Sequence, residues 1–221
     1  FFHFSILGYP REIDLHCPCL ETCLDNFRSL AEKIGSARVI WRYDPILITQ
    51  QTNVNYHIER FHQIAESLNG YTRRVVISLY DPYPGHKTRM RKLDEAGYRW
   101  IDEKDIPTDD LDNLYGSIGS VASACGMSVQ SCAEKNDLSR FGINHGACID
   151  ANYLQETFGV EVPSRKDPYQ RGECRCIPSK DIGVYQTCLM GCSYCYATSN
   201  FDQARRNHAL HDPDAPALLN Y

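Results

Sequence analysis

The feature that most constrains the fold is an alternation of short apolar runs with amphipathic helical segments along the first two thirds of the chain. "FFHFSIL" (1–7) is β-rich, and "CLDNFRSLAEKIG" follows it with Phe27, Leu30, Ala31 and Ile34 at helical spacing and Gly35 as a stop. "RVIWRYDPILI" (38–48) is a second strand, and "NYHIERFHQIAESLNG" a second helix with Ile58, Phe61, Ile64, Ala65 and Leu68 on one face. "RRVVISLYD" (73–81) is a third strand. After a longer polar stretch come a third helix, "DLDNLYGSIGSVASACG", and a fourth strand, "MSVQSCAE" (127–134). Short strands that alternate with helices imply βαβ units and a parallel sheet. The expected class is therefore α/β: a partial (β/α) TIM-like barrel over residues 1–162, with an open doubly wound sheet as the alternative. Phe1 opens inside what reads as a strand, so the sequence is read as a fragment lacking its amino-terminal units. From Pro163 the periodicity ends, and residues 163–221 are expected to form a cysteine-rich, loop-rich segment packed on the barrel. A bound metal cluster would order such a segment in place of a core of its own.

In a barrel, chemistry sits at the carboxyl ends of strands. Polar residues gather there: Arg42 and Asp44, Ser78 and Asp81, Cys132 and Glu134. Singly, each is equally well explained as a cap, a turn or a salt bridge. Together they form a candidate pocket rim in which Arg42, Asp44 and Asp81 are candidate catalytic groups. A net charge of −5 supplies no global basic field, so nucleic acid is not indicated as a partner. The basic run "HKTRMRK" (86–92) reads as a solvated helix face or loop, with a phosphate patch as the alternative. No apolar run approaches the roughly 18 residues of a membrane span.

Eleven cysteines are too many for ordinary usage and too few, in a chain of 221 residues, for a small disulfide scaffold. Bunched at short spacings, they suit metal better than disulfides and point to a reducing cytoplasm. "TCLMGCSYCYA" sets Cys188, Cys192 and Cys195 in C-x3-C-x2-C, with Tyr194 just before the third thiol. Zinc usually takes four protein donors, and an iron–sulfur cluster normally four thiolates. Three close thiols suggest a cluster with one iron left open. Cys132, Cys148, Cys174 and Cys176 lie outside this triad. They could form a second cluster or a zinc site, or Cys132 and Cys148 could be small buried hydrophobes. The adjacent-but-one thiols of "CRC" would strain a disulfide between them. His145 reads as a hydrogen-bonding residue, although it could ligate. Cys17, Cys19 and Cys23 in "CPCLETC" could make a further metal site, with no fourth donor near in sequence.

"CLMGCSYCY" resembles the radical S-adenosylmethionine signature, C-x3-C-x-aromatic-C. The resemblance implies that Cys188, Cys192 and Cys195 hold a [4Fe–4S] cluster whose open iron is chelated by S-adenosylmethionine. It implies that reductive cleavage of this cofactor yields a 5′-deoxyadenosyl radical, and that the main chain near Tyr194 approaches the adenine. Two features depart from that superfamily: the motif lies near the carboxyl end, and no "GGE"-like segment follows it. "GYPREI", "ARVIWRYDPIL", "YTRRVVISLYD", "VQSCAE", "GACID" and "CRCIPSKDIGVYQTCLMGCSYCYA" together resemble a bacterial family, domain of unknown function 1848, over nearly the full length. That family carries such a cysteine cluster at its carboxyl end and has no assigned reaction.

The expected function is thus a radical S-adenosylmethionine-type iron–sulfur enzyme acting on an unknown substrate, with a reducing partner such as ferredoxin or flavodoxin. Two alternatives stand beside it. One is an electron-transfer or redox-sensing cluster protein that cleaves no cofactor. The other is a zinc-stabilised protein that binds a nucleic acid or protein partner.

Overall fold

A computed structural model describes residues 1–83 and 87–219. Five strands are present among them: β1 (Phe2–Ser5), β2 (Val39–Ile46), β3 (Arg74–Leu79), β4 (Ser128–Cys132) and β5 (Ile143–Gly146). The helices are α1 (Leu20–Ile34), α2 (Val54–Ser67), α3 (Lys87–Glu95), α4 (Thr108–Ala124), α5 (Ala151–Phe158) and α6 (Phe201–Ala209). None is long and apolar enough to cross a membrane. The residues fall into two compact units.

The first unit takes residues 1–8, 19–80 and 101–179. Its sheet runs β1-β2-β3-β4-β5 in sequence order, every neighbouring pair parallel. That order has no reversal, so it lacks the switch point of a doubly wound sheet. β1 and β5 are not neighbours, and these five strands do not close into a barrel. The strands and helices expected from periodicity are all present, each strand a little shorter at both ends than its apolar run.

Side chains alternate between the two faces of the sheet. Phe4, Trp41 and Tyr43 point to one face, where Phe27 of α1 meets Phe4 at 5.4 Å and Phe61 of α2 stacks on Trp41 at 4.8 Å. α4 packs on α2, on this same side. Trp41 is fully buried, and its indole N–H donates to the Ile6 carbonyl at 2.9 Å, which removes the cost of burying that donor. The opposite face carries Ile40 and Val76, covered by Tyr153 of α5 and flanked by Phe1, Cys132 and Cys148. α5 starts where the Asp150 carboxylate accepts from the Asn152 and Tyr153 amides and stops at Gly159, which is left-handed at φ 67°. From there to the end of the unit the chain has no helix or strand.

The second unit takes residues 9–18, 81–100 and 180–221, described to 219. Segments 13–16 and 190–193 run antiparallel: the His16 amide donates to the Met190 carbonyl and the Ser193 amide to the Ile13 carbonyl, both at 2.9 Å. α3 and α6 complete it. Both were hidden from the periodicity reading, because each buries one side chain, Leu93 or Ala204, among charged and polar neighbours. The basic run contributes α3, and its His86 lies outside the described residues.

Candidate metal centre

The loop bearing Cys188, Cys192 and Cys195 is closed at its base by Gln186. The Gln186 side-chain carbonyl accepts from the amides of Ser199 and Asn200, both at 3.0 Å, and the Gln186 backbone N–H donates to the Ala197 carbonyl at 2.9 Å. Within the loop the Cys195 amide donates to the Cys192 carbonyl at 3.1 Å, a turn that sets the second and third thiols on one short bend. Gly191 is left-handed at φ 72°, and a Cβ there would come within 3.2 Å of the His16 ring. Arg89 of α3 holds the bend from beneath. Its guanidinium donates to the carbonyls of Cys192 (3.3 Å), Thr198 (2.6 Å) and Cys195. Sequence reasoning took Arg89 for part of a solvated face, because a cation that serves backbone carbonyls has no signature in its own neighbourhood.

The antiparallel pairing delivers two further donors to Cys192. Its sulfur lies 3.5 Å from that of Cys17, and a carboxylate oxygen of Asp14 completes a group whose ligand atoms all lie within 4.8 Å of one another. Asp14 is buried, 7% exposed, and its Oδ1 has no hydrogen-bond partner. Burial pushes its carboxyl above the usual range, against hydrogen bonds from Cys192, Tyr194 and Cys17. The Cys192 thiol is pushed strongly up, first by its hydrogen bond with Cys17 and then by burial and the Asp14 charge. A group of two thiols and a carboxylate with an unmet buried oxygen fits a bound metal, whose charge would reverse both shifts.

Cys188 and Cys195 lie outside this close group: Cys188 is exposed and Cys195 half-buried. Tyr194 packs edge-on against Tyr9 at 5.9 Å, and burial raises its phenol well above the usual value, with Asp14 adding to the shift. The sequence reading missed Asp14. It grouped Cys17 with Cys19 and Cys23, whereas Cys17 joins Cys192, the exposed Cys19 thiol contacts the Thr22 hydroxyl at 3.1 Å, and Cys23 lies in the first turn of α1.

The strand-end residues of the first unit form a second polar group. Arg42 donates to the Asp44 carboxylate, which also accepts from the Ser78 hydroxyl, and the Arg42 guanidinium donates to Cys148 Sγ at 3.3 Å. Burial works against the Arg42 charge, but Asp44 and the thiols of Cys148 and Cys132 outweigh it and hold the guanidinium charged. Glu134 accepts from the Leu79 amide at 2.7 Å, which fixes the end of β3. Ala133, between Cys132 and Glu134, is left-handed at φ 54°, an uncommon conformation for a residue with a Cβ. Asp81 is exposed and belongs to the second unit. His145 donates to the Glu173 carbonyl at 2.6 Å.

No curated protein and no solved structure matches this chain. One family does match it, over residues 1–197, and it is described as Domain of unknown function (DUF1848). That match spans all eleven cysteines as well as Asp14 and Arg89, and the chain belongs to that family.

Proposed function

We propose that the chain is a bacterial, cytoplasmic iron–sulfur enzyme of the radical S-adenosylmethionine type, with a [4Fe–4S] cluster on Cys188, Cys192 and Cys195. The observation that carries the reading is the built loop: a C-x3-C-x-aromatic-C segment stapled at its base by Gln186 and held through its carbonyls by Arg89. Such bracing holds the bend of Cys192 and Cys195 in place before any ligand arrives, which lowers the ordering cost of binding. When bound, the cluster supplies the electron that cleaves S-adenosylmethionine to methionine and a 5′-deoxyadenosyl radical. The protein's own part is to exclude water and orient. The buried Tyr194, packed edge-on against Tyr9, lies two residues from Cys192, and Asp14 offers a carboxylate to a cationic ligand group. The sequential parallel sheet, with α1, α2 and α4 on one face, suits an arc of a (β/α) barrel, and Arg42 and Asp44 at its strand ends suit substrate positioning. The reading includes an unknown substrate and a reductant such as ferredoxin or flavodoxin.

A second reading has its own observation. The Cys17 sulfur, 3.5 Å from Cys192, is a possible fourth thiolate that would close the cluster and make it an electron-transfer or redox-sensing centre. Anaerobic reconstitution followed by low-temperature electron paramagnetic resonance separates the two. The enzyme reading expects a reduced-cluster signal that shifts on adding S-adenosylmethionine and vanishes in the Cys188→Ala/Cys192→Ala/Cys195→Ala variant. A signal indifferent to the cofactor, but responsive to it in Cys17→Ala, sinks the enzyme reading in favour of the closed cluster.

A further inference from the structure

Four more thiols converge inside the first unit. Cys132 ends β4, Cys148 follows β5, and Cys174 and Cys176 belong to the stretch after α5 that has no helix or strand. The sulfurs of Cys132 and Cys148 are 3.2 Å apart, the Ile149 amide next to Cys148 donates to Cys176 Sγ at 3.4 Å, and the Cys176 amide donates to Cys174 Sγ at 3.5 Å. We propose that Cys132, Cys148, Cys174 and Cys176 bind a single zinc ion that ties this coil to the carboxyl ends of β4 and β5. The site shares no residue with the cysteine loop of the second unit and does not rest on the iron–sulfur reading.

Three observations carry the proposal. The first is spacing. Zinc–sulfur bonds of about 2.3 Å in a tetrahedron put neighbouring sulfurs about 3.8 Å apart, so Cys132 and Cys148, at 3.2 Å, are close enough to share one ion with a small outward shift. No three of these four sulfurs lie within 4.8 Å of one another, and the ion would draw Cys174 and Cys176 in toward the Cys132–Cys148 pair. The second is the donor set around the sulfurs. Arg42 Nη1 donates to Cys148 at 3.3 Å, the Ile149 amide to Cys176 at 3.4 Å, and the Cys176 amide to Cys174 at 3.5 Å. N–H groups aimed at sulfur stabilise thiolate over thiol, and the Arg42 cation offsets part of the surplus negative charge of four thiolates. The third is the coil itself. Cys174 and Cys176 are 8% and 9% exposed in a segment without regular structure. Two of its ties to the chain around β5, the Ile177 amide to the Ile149 carbonyl at 3.1 Å and His145 to the Glu173 carbonyl at 2.6 Å, lie beside these thiols. Four protein thiolates leave no open coordination position, so the ion's role is structural.

The test is metal and sulfide analysis of protein purified anaerobically with a thiol reductant, made on the wild type and on the Cys188→Ala/Cys192→Ala/Cys195→Ala variant. We expect about one zinc per chain, without acid-labile sulfide, to survive in that variant. Zinc should be lost in Cys174→Ser and Cys176→Ser and kept in Cys125→Ser, a buried thiol outside the group. Arg42→Met should weaken zinc binding about 10–100-fold against a chromophoric chelator, with folding checked by circular dichroism. Cobalt loaded into the intact wild-type chain should give tetrahedral thiolate absorption that Cys176→Ser removes, a readout of the ligands themselves. Iron with sulfide in the triple variant would replace zinc with a second cluster and overturn the proposal. So would a Cys132–Cys148 disulfide in the purified protein, or a chain that takes up neither zinc nor cobalt at these thiols.

Discussion

His57 lies fully buried on α2, with its Nε2–H donating to the Leu47 carbonyl at 3.2 Å and its Nδ1 accepting from the Tyr43 hydroxyl at 2.8 Å. The neutral ring satisfies both partners, and the charged form finds no carboxylate among them to offset its burial. Burial accordingly drops its pKa from 6.5 to about 4. The unfolded chain takes up a proton that the folded chain refuses. Stability from this group is therefore complete above pH 6.5 and drains away as pH falls toward about 4. Urea unfolding of the wild type should lose about 2–3 kcal/mol from this residue between pH ~7.5 and ~4.5. His57→Gln should be weaker at neutral pH by about 1–2 kcal/mol and lose that increment of pH dependence. Equal pH slopes in the two proteins would refute the assignment. The sequence marked His57 only as one position of a helical pattern; its burial depended on Tyr43, 14 residues earlier on β2.

At the scale of an element, α4 tests packing against propensity. A glycine inside a helix costs roughly 0.5–1 kcal/mol relative to alanine. Gly116 and Gly119 both lie in α4. A Cβ at Gly116 would meet nothing nearer than the Phe141 ring edge at 3.8 Å, whereas at Gly119 it would lie 1.9 Å from the Phe141 carbonyl oxygen, which is backbone and cannot swing aside. Gly116→Ala should stabilise the protein by up to about 1 kcal/mol. Gly119→Ala should destabilise it by about 1–3 kcal/mol or more, as overpacking does. Thermal unfolding of the two variants checks this, and equal shifts would show that Phe141 yields. The helix was legible from its apolar spacing. That Phe141 crosses at Gly119 was not, because a close approach leaves no periodic trace. α6 went unread, and α3 was read only as a solvated helix face or loop, for the opposite reason: each buries one side chain, below what any periodicity can register.

For the whole molecule, both proposed centres lie in cysteine-rich stretches with little regular structure, while the five-stranded sheet has its own aromatic and aliphatic core. Metal should therefore matter most between residues 159 and 200, where no helix or strand occurs. Stripping metal with chelator under reducing conditions should open this stretch to protease before the sheet. It should also lower the melting temperature by roughly 5–10 °C, the equivalent of about 2.7 kcal/mol for a ligand at a hundred times its Kd. Restored metal should reverse both. An unchanged protease pattern would mean that the coil is ordered without metal.

Local patterns in the sequence determined the alternating strands and helices, the parallel sheet they imply and the spacing of Cys188, Cys192 and Cys195. Each is written within a few residues, where periodicity and turn chemistry act. Tertiary structure alone decided which distant groups meet. Cys17 and Asp14 reach Cys192 across some 175 residues, Arg89 reaches the same bend from a helix about a hundred residues earlier, and Cys132 meets Cys148, 16 residues on. The strand order and the antiparallel pairing of 13–16 with 190–193 bring these groups together. Contacts of that range depend on how whole elements pack, and no short stretch of the chain encodes them.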